Sequence, residues 1–225
     1  MLLETCIYIY PMRRPLRTDN EYTEYVKDFY RKIEDYDWVD VTDHFRGLES
    51  FLHKSREKQI RKLIKQYSTN GHYLDVGCGT GLLLRHLPKG SIGIDINPRH
   101  VERAKKYAAD AEVFLGDVES MEFPEQNFSN VIFTEVLEHL VHPEKTLDEI
   151  KRVLKPGGIL IGSTPGLSVI WKFRFLSSTH YHNEPFHNEF TKKELLNYFK
   201  GWNILFLKSA FFNSSYYFVL QKHDS

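Results

Sequence analysis

Cysteine is almost missing from this chain: there are two, Cys6 and Cys78, among 225 residues. Two thiols cannot build a disulfide framework, and Cys78 lies in a glycine-rich stretch, so the chain reads as a reduced, cytoplasmic protein. Net charge is missing too, with 30 Lys and Arg balanced by 30 Asp and Glu. Nonspecific nucleic-acid binding needs clustered cations to displace condensed counterions, so nucleic acid is not the expected partner. The opening MLLETCIYIY carries Glu4, lacks a leading cationic stretch and is too short to span a bilayer. Neither a signal peptide nor membrane insertion is expected. Internal repeats and low-complexity tracts are also absent.

What is present suits one domain with an appendage. At this length roughly 70% of the extended-chain surface is buried on folding, enough for a core without staples. The first seventy residues read as an N-terminal helical extension. Thr18 and Glu21 have capping-box spacing, and Tyr22, Val26, Phe29 and Ile33 recur on one helical face. A second amphipathic run places Phe51, Ile60, Leu63, Ile64 and Tyr67 near one stripe and stops at Ser68-Thr69-Asn70-Gly71. Residues 35–48 between them, with Trp38, His44, Phe45 and Arg46, read either as a linker packed on the core or as a lid over a small ligand.

From Tyr73 the texture changes. Short apolar strands are expected at 73–76, 91–96, 112–115, 130–134 and 158–163, alternating with helices at 81–87, 97–109 and 144–154. That alternation implies an α/β fold with parallel strands and right-handed crossovers. An aromatic and histidine-rich stretch to His187, a helix at 191–198 and two late antiparallel strands at 202–208 and 215–221 complete the chain.

The sharpest motif is LDVGCGTG, Leu74 to Gly81, between a strand and a predicted helix. Gly77, Gly79 and Gly81 permit a sharp turn and close approach of a ligand, although glycine also serves turn geometry alone. The dinucleotide fingerprint would need glycine where Leu82 stands, and no Lys-Ser/Thr follows for a phosphate-binding loop. Asp75, Asp95, Asp117 and Glu135 all fall at expected carboxyl ends of strands, where open parallel sheets bind ligands. A carboxylate accepts two hydrogen bonds and suits vicinal hydroxyls, but it can also simply cap the next helix. Asn97 is placed to take that capping role in place of Asp95.

In order, the acidic-glycine loop, GIDINP (93–98), LGDVES (115–120), FTEVLEHL (133–140) and LKPGG (154–158) resemble the class I S-adenosylmethionine-dependent methyltransferases over roughly Tyr73 to Gly162. The resemblance implies a Rossmann-like, mostly parallel seven-stranded sheet with helices on both faces and an antiparallel C-terminal strand pair. It implies a division into residues 1–70, a helical extension or lid, and 71–225, the S-adenosylmethionine-binding domain. It assigns cofactor contacts to Asp75, Gly77, Cys78, Gly79 and Gly81 at the methionine part, and to Asp95 and Ile96 at the ribose. Asp117 and Val118 would meet the adenine, with Thr134 at the end of the fourth strand.

The string E-x-x-E-H, Glu135, Glu138 and His139, also resembles the metal-binding motif of ubiquinone-pathway O-methyltransferases and small-RNA 2′-O-methyltransferases. By that likeness Glu135, Glu138, His139 and a later histidine (His187, then His182 or His180) would hold a divalent cation such as magnesium or zinc. Without a metal, His139, assisted by Glu135, would be the catalytic base that deprotonates a hydroxyl. The expected activity is O-methylation of a small hydroxylated acceptor. The alternatives are RNA 2′-O-methylation and a cofactor-binding module without turnover.

Overall fold

The computed structural model describes residues 20–33, 36–44, 48–167, 187–210 and 214–224, with the side chains of residues 48 and 49 excepted. The Thr18 cap, Cys6, Phe45, Arg46, the 171–175 aromatics, His180 and His182 lie outside them.

Seven strands form one sheet in the order β3-β2-β1-β4-β5-β7-β6. They are β1 (Tyr73–Val76), β2 (Ile92–Asp95), β3 (Glu112–Leu115), β4 (Phe128–Thr134), β5 (Leu154–Pro165), β6 (Asn203–Ala210) and β7 (Ser215–Gln221). β1 to β5 run parallel, and β7 pairs antiparallel with both β5 and β6. The Rossmann-like fold expected from the sequence is the fold found. β1 and β4 are buried along almost their whole length, as strands covered on both faces must be. Alternation along β4 sends Val131 and Phe133 into one apolar cluster and Ile132 into the other, so each sheet face has its own core.

Helices α1 (Asn20–Lys32), α2 (Trp38–Asp43), α3 (Leu48–Tyr67), α4 (Pro98–Tyr107), α5 (Pro143–Val153) and α6 (Lys192–Tyr198) surround the sheet. Their starts follow local chemistry. Asp37 accepts from the N–H groups of Val39 and Asp40, Asn97 caps α4 ahead of Pro98, and Thr191 with Glu194 makes a full capping box. No helix among the described residues is long and apolar enough to cross a membrane.

Two expectations need correction. The predicted helix at 81–87 is only a 3-10 turn, Leu84–His86. Gly81 stands at φ +90°, outside helical space, and Pro88 follows at once, leaving too few residues to propagate an α-helix. Phe51 does not share the buried stripe of α3; it is 58% exposed. Nine residues at 3.6 per turn put it about 180° from Ile60. The stripe that continues from Ile60 and Leu63 runs instead through Glu57, Arg56 and His53, all at least partly buried.

Candidate active site

The strand order reverses between β1 and β4, where an open parallel sheet leaves a crevice at its carboxyl edge. The glycine loop after β1 and the Glu135–His139 segment after β4 flank it and touch. A Cβ added at Gly77 would stand 2.4 Å from Val136 Cγ2. Gly81 packs so closely on α4 that a Cβ there would lie 3.2 Å from the Ala104 backbone. The loop spends its donors internally. The Gly77 and Cys78 N–H groups donate to the Ile94 carbonyl, Gly81 N–H to Cys78, and Gly79 N–H to Asp95 Oδ2 at 2.8 Å. This loop is therefore no phosphate cradle; its turn leaves room beside carboxylates.

Those carboxylates sit where the sequence placed them. Asp75, on β1, is buried; burial and then the neighbouring Asp95 push its pKa up to about 7. Asp95 ends β2 and accepts from Gly79 N–H and, through Oδ1, from Asn97 N–H. His100 Nδ1 also stands 3.4 Å from Oδ1; a carboxylate offers about four acceptor positions, so capacity remains for a ligand hydroxyl. Asn97 does take the capping role, freeing Asp95 from it. Ile96, half-buried, follows. Asp117, beyond β3, accepts from Glu119 N–H and from Lys27 Nζ at 2.7 Å, and buried Val118 is beside it. Cys78 is buried, and burial followed by the charges of Asp95 and Asp75 raises its thiol well above the ordinary value, so it is no thiolate nucleophile. The acceptor set fits an S-adenosyl group: one carboxylate for the hydroxyls of a diol and another for an amine.

After Thr134, half-buried at the end of β4, Glu135 adopts φ +55°, uncommon for a residue with a side chain and a mark of strain held by its surroundings. Its Oε1 accepts from Ser163 Oγ at 2.8 Å and its Oε2 pairs with Arg56 Nη2 at 2.9 Å. Glu138 is buried and accepts from Thr164 Oγ1; burial, then Glu135, raises its pKa well above the carboxylate range. His139 Nδ1 is 2.8 Å from Tyr30 Oη, and its ring meets His187 edge-on at 5.4 Å between centroids.

The expected four-ligand cation site is not assembled. Arg56 supplies the positive charge beside Glu135, and Glu138 points to Thr164 with a raised pKa. Among the described residues no group of three or more His, Cys, Asp or Glu is arranged to hold a metal ion. His139 and His187 do meet. In this arrangement the residues do not fit a bound cation, and no step is derived through one.

Sequence reasoning missed Lys27, Tyr30 and Arg56. Arg56 had a readable signal, since it lies four residues before Ile60 on the inward stripe of α3. Trp38, noted for its aromaticity, packs on the glycine loop, 3.3 Å from a Cβ built at Gly79, and edge-on to His100.

This fold is that of the class I S-adenosylmethionine-dependent methyltransferases. Residues 74–162 match the family described as methyltransferase domain. The chain is 32% identical over 121 residues to ubiquinone biosynthesis O-methyltransferase of Coxiella burnetii (strain Dugway 5J108-111), covering 50% of this chain and 52% of that protein. It is 30% identical over 105 residues to the mitochondrial arginine-hydroxylase NDUFAF5 of Rattus norvegicus, covering 45% and 31%. The chain thus matches about half, or less, of the length of these relatives. In fold it is similar to the N-methyltransferase NodS of Bradyrhizobium japonicum WM9, in complex with S-adenosyl-L-homocysteine. That likeness has TM-score 0.62 at 15% identity, over 89% of this chain and 98% of that one.

Proposed function

We propose that the protein transfers a methyl group from S-adenosylmethionine to the oxygen of a small hydroxylated acceptor, with His139 as a metal-free base. One observation carries the reading: the segment bearing His139 meets the glycine loop across the β1/β4 crevice, with Val136 against Gly77. Asp95 would take the ribose hydroxyls, Asp117 the adenine amine, and the glycine loop with Asp75 the methionine part. Residues 1–70 act as a helical extension over the site, and residues 71–225 as the binding domain.

When bound, S-adenosylmethionine supplies a sulfonium-activated methyl group. His139 takes the acceptor's proton as its oxygen forms the new C–O bond and the C–S bond breaks, after which the imidazolium returns that proton to solvent. Glu135, held between Arg56 and Ser163, keeps the backbone turn that presents the histidine. The relationship to ubiquinone biosynthesis O-methyltransferase supports oxygen as the acceptor atom. The hydroxylase relative makes a different reaction on the same domain the second reading. Formation of S-adenosylhomocysteine and a methylated product from a panel of small hydroxylated acceptors tests the proposal. Cofactor binding without any such product would overturn it.

A further inference from the structure

The candidate base is completed from outside the methyltransferase domain. Lys27 and Tyr30 are three residues apart on α1 and so project from one helical face. Lys27 Nζ stands 2.7 Å from Asp117 Oδ2 and 2.8 Å from Glu119 Oε2. Burial works against its charge, but the hydrogen bonds and charges of the two carboxylates outweigh that and raise its pKa. One turn further, Tyr30 Oη meets His139 Nδ1 at 2.8 Å, the rings tilted with centroids 4.9 Å apart. The backbone beneath is tied down as well, because Asn97 Nδ2, fully buried, donates to the carbonyls of both Tyr30 and Ile33 at 2.9 Å.

We infer that Tyr30 is a positioning residue of His139, held in register with the cofactor cleft by the Lys27–Asp117 contact. A hydrogen bond at one ring nitrogen decides which tautomer the imidazole adopts. In the base-competent tautomer Nδ1–H donates to the phenol oxygen, and Nε2 is the nitrogen that receives the acceptor's proton. Nε2 lies 3.8 Å from Glu138 Oε1, beyond hydrogen-bond reach, so Glu138 does not fix the tautomer in place of Tyr30. α1 therefore spans the carboxylate assigned to adenine and the histidine assigned to the acceptor, and α1 docking orders both ends of the site.

This inference rests on His139 being the base, and the experiment separates the two. Tyr30→Phe should lower kcat about tenfold to a hundredfold, with the KM for S-adenosylmethionine within about twofold. The ¹⁵N signals of the His139 ring, measured on the full-length protein, should shift toward the other tautomer. Val219→Ala, which opens the core at a buried position on β7, should lower thermal stability without moving those signals. Unchanged His139 signals in Tyr30→Phe, or an unchanged kcat, would overturn the positioning role. Full activity in His139→Ala would defeat the base reading instead, whatever the spectrum of Tyr30→Phe shows.

Discussion

Arg56 Nη2 reaches Glu135 Oε2 at 2.9 Å, joining the long N-terminal helix α3 to a residue held at positive φ after β4. Both side chains are mostly shielded, at 17% and 18% exposure, so neither charge is well solvated alone. Removing the cation leaves Glu135 beside the buried Glu138. Arg56→Ala is therefore expected to destabilise the fold by about 1–3 kcal/mol, read from the urea midpoint at constant m-value. A midpoint equal to that of the unaltered protein would show the pair to be dispensable.

Asp95→Ala should weaken S-adenosylmethionine binding about tenfold to a hundredfold, the equivalent of about 1.5–3 kcal/mol, by isothermal titration. The same carboxylate ties Gly79 N–H and Asn97 N–H, so this variant should also loosen the loop. Asp95→Asn retains one acceptor oxygen and should lose less. A folded Asp95→Ala protein with unaltered affinity would remove Asp95 from the cofactor site.

His139→Ala should lower turnover by about 10²–10⁴-fold with cofactor affinity nearly intact. EDTA should leave the unaltered enzyme active, because Arg56 already neutralises Glu135 and Glu138 faces Thr164. Glu138→Gln should be milder than His139→Ala. Activity abolished by EDTA and restored by magnesium or zinc would reverse this and reinstate the carboxylates as ligands.

Asp75 makes stability depend on pH. Its pKa is raised to about 7 from 3.8, first by burial and then by Asp95. The folded chain therefore holds a proton that the unfolded chain has already released. The contribution is greatest at and below the unfolded value and is lost as pH rises from about 4 to about 7, with nothing further lost above. The integrated loss is of the order of a few kcal/mol. Asp75→Asn, neutral throughout, should flatten this part of the profile and raise the melting temperature at pH 8 relative to the unaltered chain. Parallel pH profiles for the two proteins would contradict the assignment.

Strand positions, the starts of α4, α5 and α6 and the strand-end carboxylates were legible in the sequence because each depends on nearby residues. Alternating apolar runs define β1 to β5, the Asn97-Pro98 pair starts α4, and the chain direction alone puts Asp75, Asp95 and Asp117 at one edge. The glycine loop was legible as a turn, but its donors were not. Only folding showed that the Ile94 carbonyl and Asp95 consume them and that Gly81 and Pro88 limit the expected helix to a 3-10 turn. Phe51 misled because apolar character was read without tracking helical phase over nine residues, whereas that phase points Arg56 inward.

The sequence by itself determined the kind of domain, since the motifs that build its crevice are local strand-loop units whose order dictates the sheet. Tertiary structure decided who attends the crevice. Lys27 meets Asp117 across 90 residues of chain and Tyr30 meets His139 across 109, separations over which no periodicity or spacing carries information. It also decided against the four-ligand cation arrangement, because a guanidinium from α3 reaches Glu135 only once the helix has packed against the sheet. Local propensity sets the elements, but the partners of a buried charge are chosen by the packing that takes it out of water.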